Sequence, residues 1–326
     1  MALASELSTA GSLPRDWRRW LGFFGAFVLG LVLLVAAWAK ALDPEAFAEQ
    51  VRGEGLEILL SARILALAGI GVEVALGFAL VLGIRRLWVL LPAVALVGFF
   101  LFLTGRAYAR SLRGEALPAS SCGCFGNLVR RTPAEAFWQD LLLLVPPLAL
   151  AFLGRERGGR PPKGRLAAVV VASGAALAFA WKAPALPLDD LATRLKPGVR
   201  IADLCAGQGA EAVCLGTLAP DLGQGRQLVV LADLDAPDFI AAIPALNRYA
   251  DSGPAVPLSV VTATDPKEFM GFKFKFGPTF AVRSAPAELL RPLYRRLPRS
   301  FILEDGRVVS TYRGLPENLG AAAPPG

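Results

Sequence analysis

Apolar residues fall in long unbroken runs before about residue 183 and in short, interrupted runs after it. The long runs cover about 20–39, 59–84, 87–105, 136–153 and 166–181. About 20 apolar residues in a helix rising 1.5 Å each cross a hydrocarbon core of about 30 Å, so each run predicts a transmembrane helix. A cleaved secretory signal is the rival reading of the first run, because Ala37-Trp38-Ala39 loosely fits a cleavage site. The run is about twice the length of a signal-peptide apolar region, which favours a retained span. Arg85-Arg86 leaves only a tight turn between the second and third runs, predicting antiparallel neighbours. Pro146-Pro147 predicts a kink in the fourth, with neighbouring helices satisfying the freed carbonyls.

After Pro184 and Pro187 the pattern changes to that of a soluble domain. Strands are predicted over about 199–204, 228–231, 258–262 and 280–282, and helices over 238–250 and 286–296. Residues 300–303 and 308–312 read as a β-hairpin around Glu304-Asp305-Gly306-Arg307. Strand, helix, strand and then hairpin is an α/β order. The expected domains are a cytoplasmic N-terminus (1–19), a four-helix membrane domain (20–153) and a basic loop with the fifth span (154–183). An extracytoplasmic domain (184–318) and a Gly/Ala/Pro-rich tail (319–326) follow.

Composition and charge refine this picture. Hydrophobic residues make up 54% of the chain, and their excess lies in the long runs. The net charge of +7 does not indicate nucleic acid, because many Lys and Arg stand between the apolar runs. Arg15, Arg18 and Arg19, the Arg85-Arg86 turn, and Arg155, Arg157, Arg160, Lys163 and Arg165 fall on one side if the N-terminus is cytoplasmic. The other side carries Lys40, Arg52 and a loop with Arg106, Arg110, Arg113, Arg130 and Arg131, which blurs the asymmetry. We expect a multi-pass protein of the inner or plasma membrane, N-terminus inside and C-terminal domain outside, with the lipid bilayer as its first partner.

The chain has no histidine, which excludes His-based general bases and His ligation of haem or zinc. No nucleotide-binding glycine fingerprint is present either. The four cysteines form two close pairs, Cys122/Cys124 and Cys205/Cys214. The topology above puts both pairs on the oxidising side, where disulfides persist. Cys122-Gly123-Cys124 is a candidate catalytic redox pair: a bridge across so small a ring departs from ideal geometry, which makes it easier to reduce. The open alternatives are a static loop staple, or half of a metal site whose other ligands come from elsewhere; no metal is assigned. Cys205 and Cys214 flank Gly207-Gln208-Gly209 and read as a structural bridge, a displaced redox relay or two free thiols. Glu73, near the middle of the second run, is expected to face the bundle interior, paired or protonated. Lys40, at the end of the first, is expected to snorkel to the interface.

Residues 20–153 resemble the methylamine-utilisation MauE family, itself related to DoxX-type membrane proteins. The resemblance rests on Ala39-Lys40-Ala41-Leu42-Asp43-Pro44-Glu45-Ala46-Phe47, on Glu73 with Gly77, on Cys122-Gly123-Cys124-Phe125-Gly126, and on Asp140-Leu141-Leu142-Leu143. It implies an accessory role in forming disulfides of an extracytoplasmic client, as for the small subunit of methylamine dehydrogenase. The C-terminal part resembles a thioredoxin-like domain, through Leu228 to Leu231 followed by Pro244-Ala245-Leu246-Asn247, and through Pro298 to Gly306. The family's proline, here Pro298, is usually cis and faces the active site. The family's Cys-x-x-Cys falls on Ala236-Pro237-Asp238-Phe239, where both cysteines are absent.

The fold class expected is therefore an α-helical transmembrane bundle, four MauE/DoxX-like helices plus a fifth span, with a C-terminal α/β thioredoxin-like domain. The functional reading is a redox-associated accessory protein for extracytoplasmic thiol–disulfide exchange, with a client or redox partner outside; whether it is itself a thiol–disulfide oxidoreductase is left open. The alternatives are a non-catalytic scaffold with a degenerate thioredoxin-like module, and a DoxX-like subunit of a quinone-linked oxidoreductase. No bound cofactor is assigned; a quinone is the candidate.

Overall fold

The structure is a computed structural model and describes residues 16–57, 60–114, 131–158, 162–207 and 212–316. Cys122, Gly123 and Cys124 lie outside the described residues, as do Gln208 and Gly209. The chain divides into two compact units that part between Lys182 and Ala183.

The first unit is helical: α1 (Asp16–Leu42), α2 (Pro44–Gly53), α3 (Ala62–Val81), α4 (Leu87–Leu112), α5 (Pro133–Leu153) and α6 (Lys163–Lys182). All but α2 are long and apolar enough to cross a membrane. Their outward faces are apolar as well: Trp20, Phe24, Phe102, Leu142, Val171 and Trp181 are all exposed, as befits a lipid solvent rather than water. The inner faces form a main core, with Leu29 and Leu33 of α1 against Leu80 of α3, Leu90 and Val97 of α4, and Leu144 of α5, and two smaller clusters beside it. Small residues set the spacing. A Cβ on Gly22 would lie 2.3 Å from Cα of Gly154, and one on Gly25 2.6 Å from the carbonyl of Pro147. Helices without a hydrophobic drive to associate gain from such close backbone approach. The α5 helix runs through both Pro146 and Pro147 without a break.

The short α2 helix was not predicted. Its local signal is plain: Asp43 Oδ1 accepts from the Ala46 N–H at 3.1 Å, and Pro44 opens the helix. At the other end of the bundle, the start of α1, the α3–α4 turn and the α5–α6 connection meet. A polar recess of about 710 Å³ there is lined by Arg18, Arg19, Arg85, Arg86, Arg155 and Arg165, among others. The basic segments that set the topology expectation thus share one end.

The second unit carries a five-stranded sheet in the order β5 (Ala281–Ser284), β4 (Leu258–Thr262), β3 (Arg226–Leu231), β6 (Arg299–Glu304) and β7 (Arg307–Arg313). The β3–β4 and β4–β5 pairs are parallel, and the β3–β6 and β6–β7 pairs antiparallel. Parallel neighbours need crossovers, supplied by α9 (Pro237–Asp251) and α10 (Phe269–Phe276). Strand alternation divides the core in two. Leu228, Val230 and Ile302 face Phe239, Ile243 and Leu246 of α9. Val229, Leu231, Phe301 and Leu303 face the opposite layer, which includes Leu204, Leu215 and Leu222. A β-α-β unit followed by an antiparallel hairpin, with a cis Leu297–Pro298 bond at the start of β6, is the thioredoxin-like arrangement.

Two expectations are corrected here, and one helix was not predicted. The strand expected over 199–204 is reduced to an antiparallel bridge between Arg200 and Arg307, after which residues 201–203 form a 3₁₀ turn and β1 (Cys205–Ala206) follows. The helix expected over 286–296 shrinks to α11 (Ala287–Leu290) and a 3₁₀ turn over Arg291–Leu293, where Pro292 removes a donor. The α10 helix lies in a stretch left unassigned; its alternating Phe and Lys obscure a helical period.

Buried Arg299 ties the sheet to the segment that enters the domain, which includes the short α7 helix (Asp189–Ala192). Its guanidinium donates to Leu293 O at 2.8 Å, Leu195 O at 2.8 Å and Asp190 Oδ1 at 2.9 Å. Burial lowers its pKa, while Asp189 and Asp190 hold it up.

Candidate functional site

In the second unit, β1 and β2 (Val213–Cys214) form a two-residue antiparallel ladder in which Cys205 stands directly opposite Cys214. The two are joined as a disulfide, with Cα atoms 3.8 Å apart. Gly207 takes φ of +76° just after β1, a conformation that glycine adopts freely. Beyond β2 the chain enters the short α8 helix (Leu215–Leu218), whose Thr217 Oγ1 donates to the Cys214 carbonyl at 2.7 Å. Leu204 and Leu215, which flank the cysteines, anchor both strands in the sheet's core. The cysteines themselves are half-buried, so the sulfurs sit at the edge of the fold rather than within it.

The start of α9 is where a thioredoxin-like fold carries its reactive thiols, and here it carries none. Ala236 is the N-cap, Pro237 opens the helix, and Asp238 is exposed. Phe239 points into the core, fully buried, with its ring 6.4 Å from that of Phe272. The fourth position of the family's motif is here a packing residue.

In the membrane unit, Lys40 of α1 donates to Glu73 Oε1 of α3. Lys40 therefore does not snorkel. Its ammonium turns inward and lies 4.9 Å from the Phe47 ring centroid and 4.5 Å from that of Phe100, a cation–π arrangement on two sides. A charge at membrane depth is costly unless paired, and this one is paired and flanked by aromatic faces. The pair forms part of the wall of an apolar cavity of about 310 Å³. Thr104, Gln50 and Glu54 add polar groups to its lining, and Glu54 pairs with Arg106. The sequence reading singled out Lys40 and Glu73 separately; nothing in a separation of 33 residues marks them as partners. Phe47, Phe100 and Thr104 carry no site signal in the sequence, because each reads as ordinary span or flank.

The geometry brings Lys40 and Glu73 together, and Cys205 and Cys214 together. Pro298 precedes β6 in a cis peptide bond. Among the described residues no cluster of three or more Cys, Asp or Glu has the arrangement of a metal site.

These features define a class: a multi-pass membrane protein whose C-terminal unit is a thioredoxin-like domain without the family's thiols. Within that class, residues 18–154 match the family model described as methylamine utilisation protein MauE. No curated protein sequence matches the chain. Among solved structures, similar ones include a DsbE-type thiol:disulfide interchange protein from Chlorobium tepidum (16% identity, 39% of this chain and 92% of that one, TM-score 0.30). A secreted Mycobacterium tuberculosis disulfide oxidoreductase homologous to E. coli DsbE matches at 16% identity, over 36% of this chain and 92% of that one, with TM-score 0.28. A Bacteroides thetaiotaomicron protein described as a protein disulfide isomerase matches at 16% identity, over 37% and 80%, with TM-score 0.27.

Proposed function

We propose that the chain is a membrane-held thiol–disulfide redox protein that works on the outer face of the membrane, with Cys122/Cys124 and Cys205/Cys214 as its exchanging pairs. The observation that carries this reading is the Cys205–Cys214 disulfide, half-exposed at the edge of a thioredoxin-like unit whose own helix start holds no sulfur. In the exchange, the Cys122 or Cys124 thiolate attacks one sulfur of the Cys205–Cys214 bond and expels the other as a thiolate. The second thiolate of the loop pair then resolves the mixed disulfide. The loop pair ends oxidised and the domain pair ends as a dithiol, with no net electron gain. A reduced or oxidised client enters by the same chemistry, which fits the accessory part in making disulfide-bearing proteins that the resemblance to the MauE family implies.

The test is the pairing of all four cysteines by mass spectrometry, after equilibration in graded glutathione redox buffers and alkylation. The reading expects Cys122–Cys124 and Cys205–Cys214 to interconvert between oxidised and reduced forms within the range of that buffer. Cys122 and Cys124 remaining free thiols throughout would overturn it.

A second reading is favoured by one observation, the replacement of a reactive sulfur position by buried Phe239. The soluble unit would then be a binding module on a non-catalytic scaffold. That reading requires client disulfides to form normally when all four cysteines are changed to Ser.

A further inference from the structure

We propose that the cavity at the Lys40–Glu73 pair binds the headgroup of a lipid-soluble quinone and its reduced quinol. The cavity of about 310 Å³ lies at the lower end of the size range of small-molecule sites. Its lining is chiefly apolar, with Leu65, Leu96, Phe99, Phe100 and Leu103 from helices that span the membrane. Such a lining suits a ligand that arrives from lipid and presents a flat ring to aromatic faces.

The polar groups narrow the choice. Glu73 is 1% exposed and lines the cavity, and its Oε1 accepts from Lys40. Its Oε2 is buried with no hydrogen-bond partner among the described residues. A buried carboxylate oxygen left unmet is costly, so the site asks for a donor. A quinol hydroxyl supplies one. Lys40 lines the same cavity, and an ammonium has three donors, only one of them used by Glu73. The oxidised ring presents carbonyl oxygens, which accept from that ammonium. Donor and acceptor thus stand side by side for the two states of one ligand. An acyl chain would fill the apolar volume but leave Oε2 unmet, and so fits less well.

Position adds to this. The lining comes from α2, the C-terminal parts of α1 and α4 and the N-terminal parts of α3 and α5. That end of the bundle carries the α4–α5 connection, which in sequence contains Cys122 and Cys124. A bound quinone can take what a dithiol gives up: two S–H bonds break, one S–S bond forms, and two electrons and two protons convert quinone to quinol. This consequence rests on the thiol-exchange reading; the binding itself does not.

The experiment is isothermal calorimetry of the full-length protein in phosphatidylcholine nanodiscs, titrated with ubiquinone-1 and with ubiquinol-1. Saturable one-to-one binding is expected. Glu73→Gln should weaken ubiquinol-1 by at least about tenfold, the scale of one hydrogen bond to a charged group. Because Glu73→Gln also disturbs the ion pair, Ala107→Phe is the second variant: it leaves the pair intact and fills the cavity, and should abolish binding of both forms. Binding should persist when all four cysteines are Ser, which separates this site from the exchange chemistry. No saturable binding to folded wild-type protein, or binding that neither variant alters, overturns the proposal.

Discussion

Lys40 Nζ donates to Glu73 Oε1 across the α1–α3 interface, with the two residues only 3% and 1% exposed. Removing one member of a buried pair strands the other charge, at a cost of about 3–5 kcal/mol, whereas replacing both with apolar groups is often close to neutral. We therefore expect Lys40→Met and Glu73→Leu each to lower thermal stability in detergent sharply, and the double variant to recover most of the loss. Additive effects in the double variant would mean that the pair is not coupled.

Much of this architecture was legible in the chain, and the limits are instructive. All five spans were readable because a membrane helix needs only length and apolar content, both local properties. The sheet was readable from Leu228–Leu231, Leu258–Thr262 and the 300–312 hairpin, each bounded by turn residues. The α2 helix was not legible, although its Asp43-Pro44 start is a helix signal, because its 10 residues of mixed polarity are too short a window for a helical period to stand out. The facing of Cys205 and Cys214 was open to a sequence reading, since Gly207-Gln208-Gly209 between them is a turn signal in the sequence. The Lys40–Glu73 contact was not, because it depends on how α1 and α3 cross. Nor was the burial of Arg299, whose partners Leu195 and Leu293 are brought together only by the fold.

Restoring the thioredoxin-like motif should fail, because Phe239 is now core. Ala236→Cys with Phe239→Cys trades a fully buried ring, packed among Ile243, Leu246 and Phe272, for a small thiol. Emptying such a site costs about 3 kcal/mol or more. Chemical denaturation of the full chain, followed through the soluble unit, should show that loss. An equally stable double variant that gains insulin-reductase activity would show that Phe239 is not needed for packing.

Tyr249 gives the soluble unit a pH dependence at the alkaline end. Its hydroxyl donates to Val256 O at 2.7 Å, and burial raises its pKa above the usual 10.0. The folded state thus holds the proton more tightly than the unfolded state. The contribution is complete below the unfolded pKa of about 10 and is lost as pH rises through the folded value. Melting temperature should fall above about pH 10, and Tyr249→Phe should be less stable near neutrality but flatter in that range. Identical alkaline slopes in the two proteins would contradict the assignment.

The central claim is that the two cysteine pairs exchange, and disulfide trapping tests it most directly. In a Cys124→Ser variant the attacking Cys122 has no resolving partner, so a mixed disulfide should accumulate between Cys122 and Cys205 or Cys214. Non-reducing electrophoresis and peptide mass spectrometry of the full-length protein in membranes would detect it, and the species should vanish in Cys122→Ser/Cys124→Ser. The account predicts that trapped linkage. Absence of any mixed species in Cys124→Ser and in Cys122→Ser alike, with the Cys205–Cys214 bond intact in both, would contradict it.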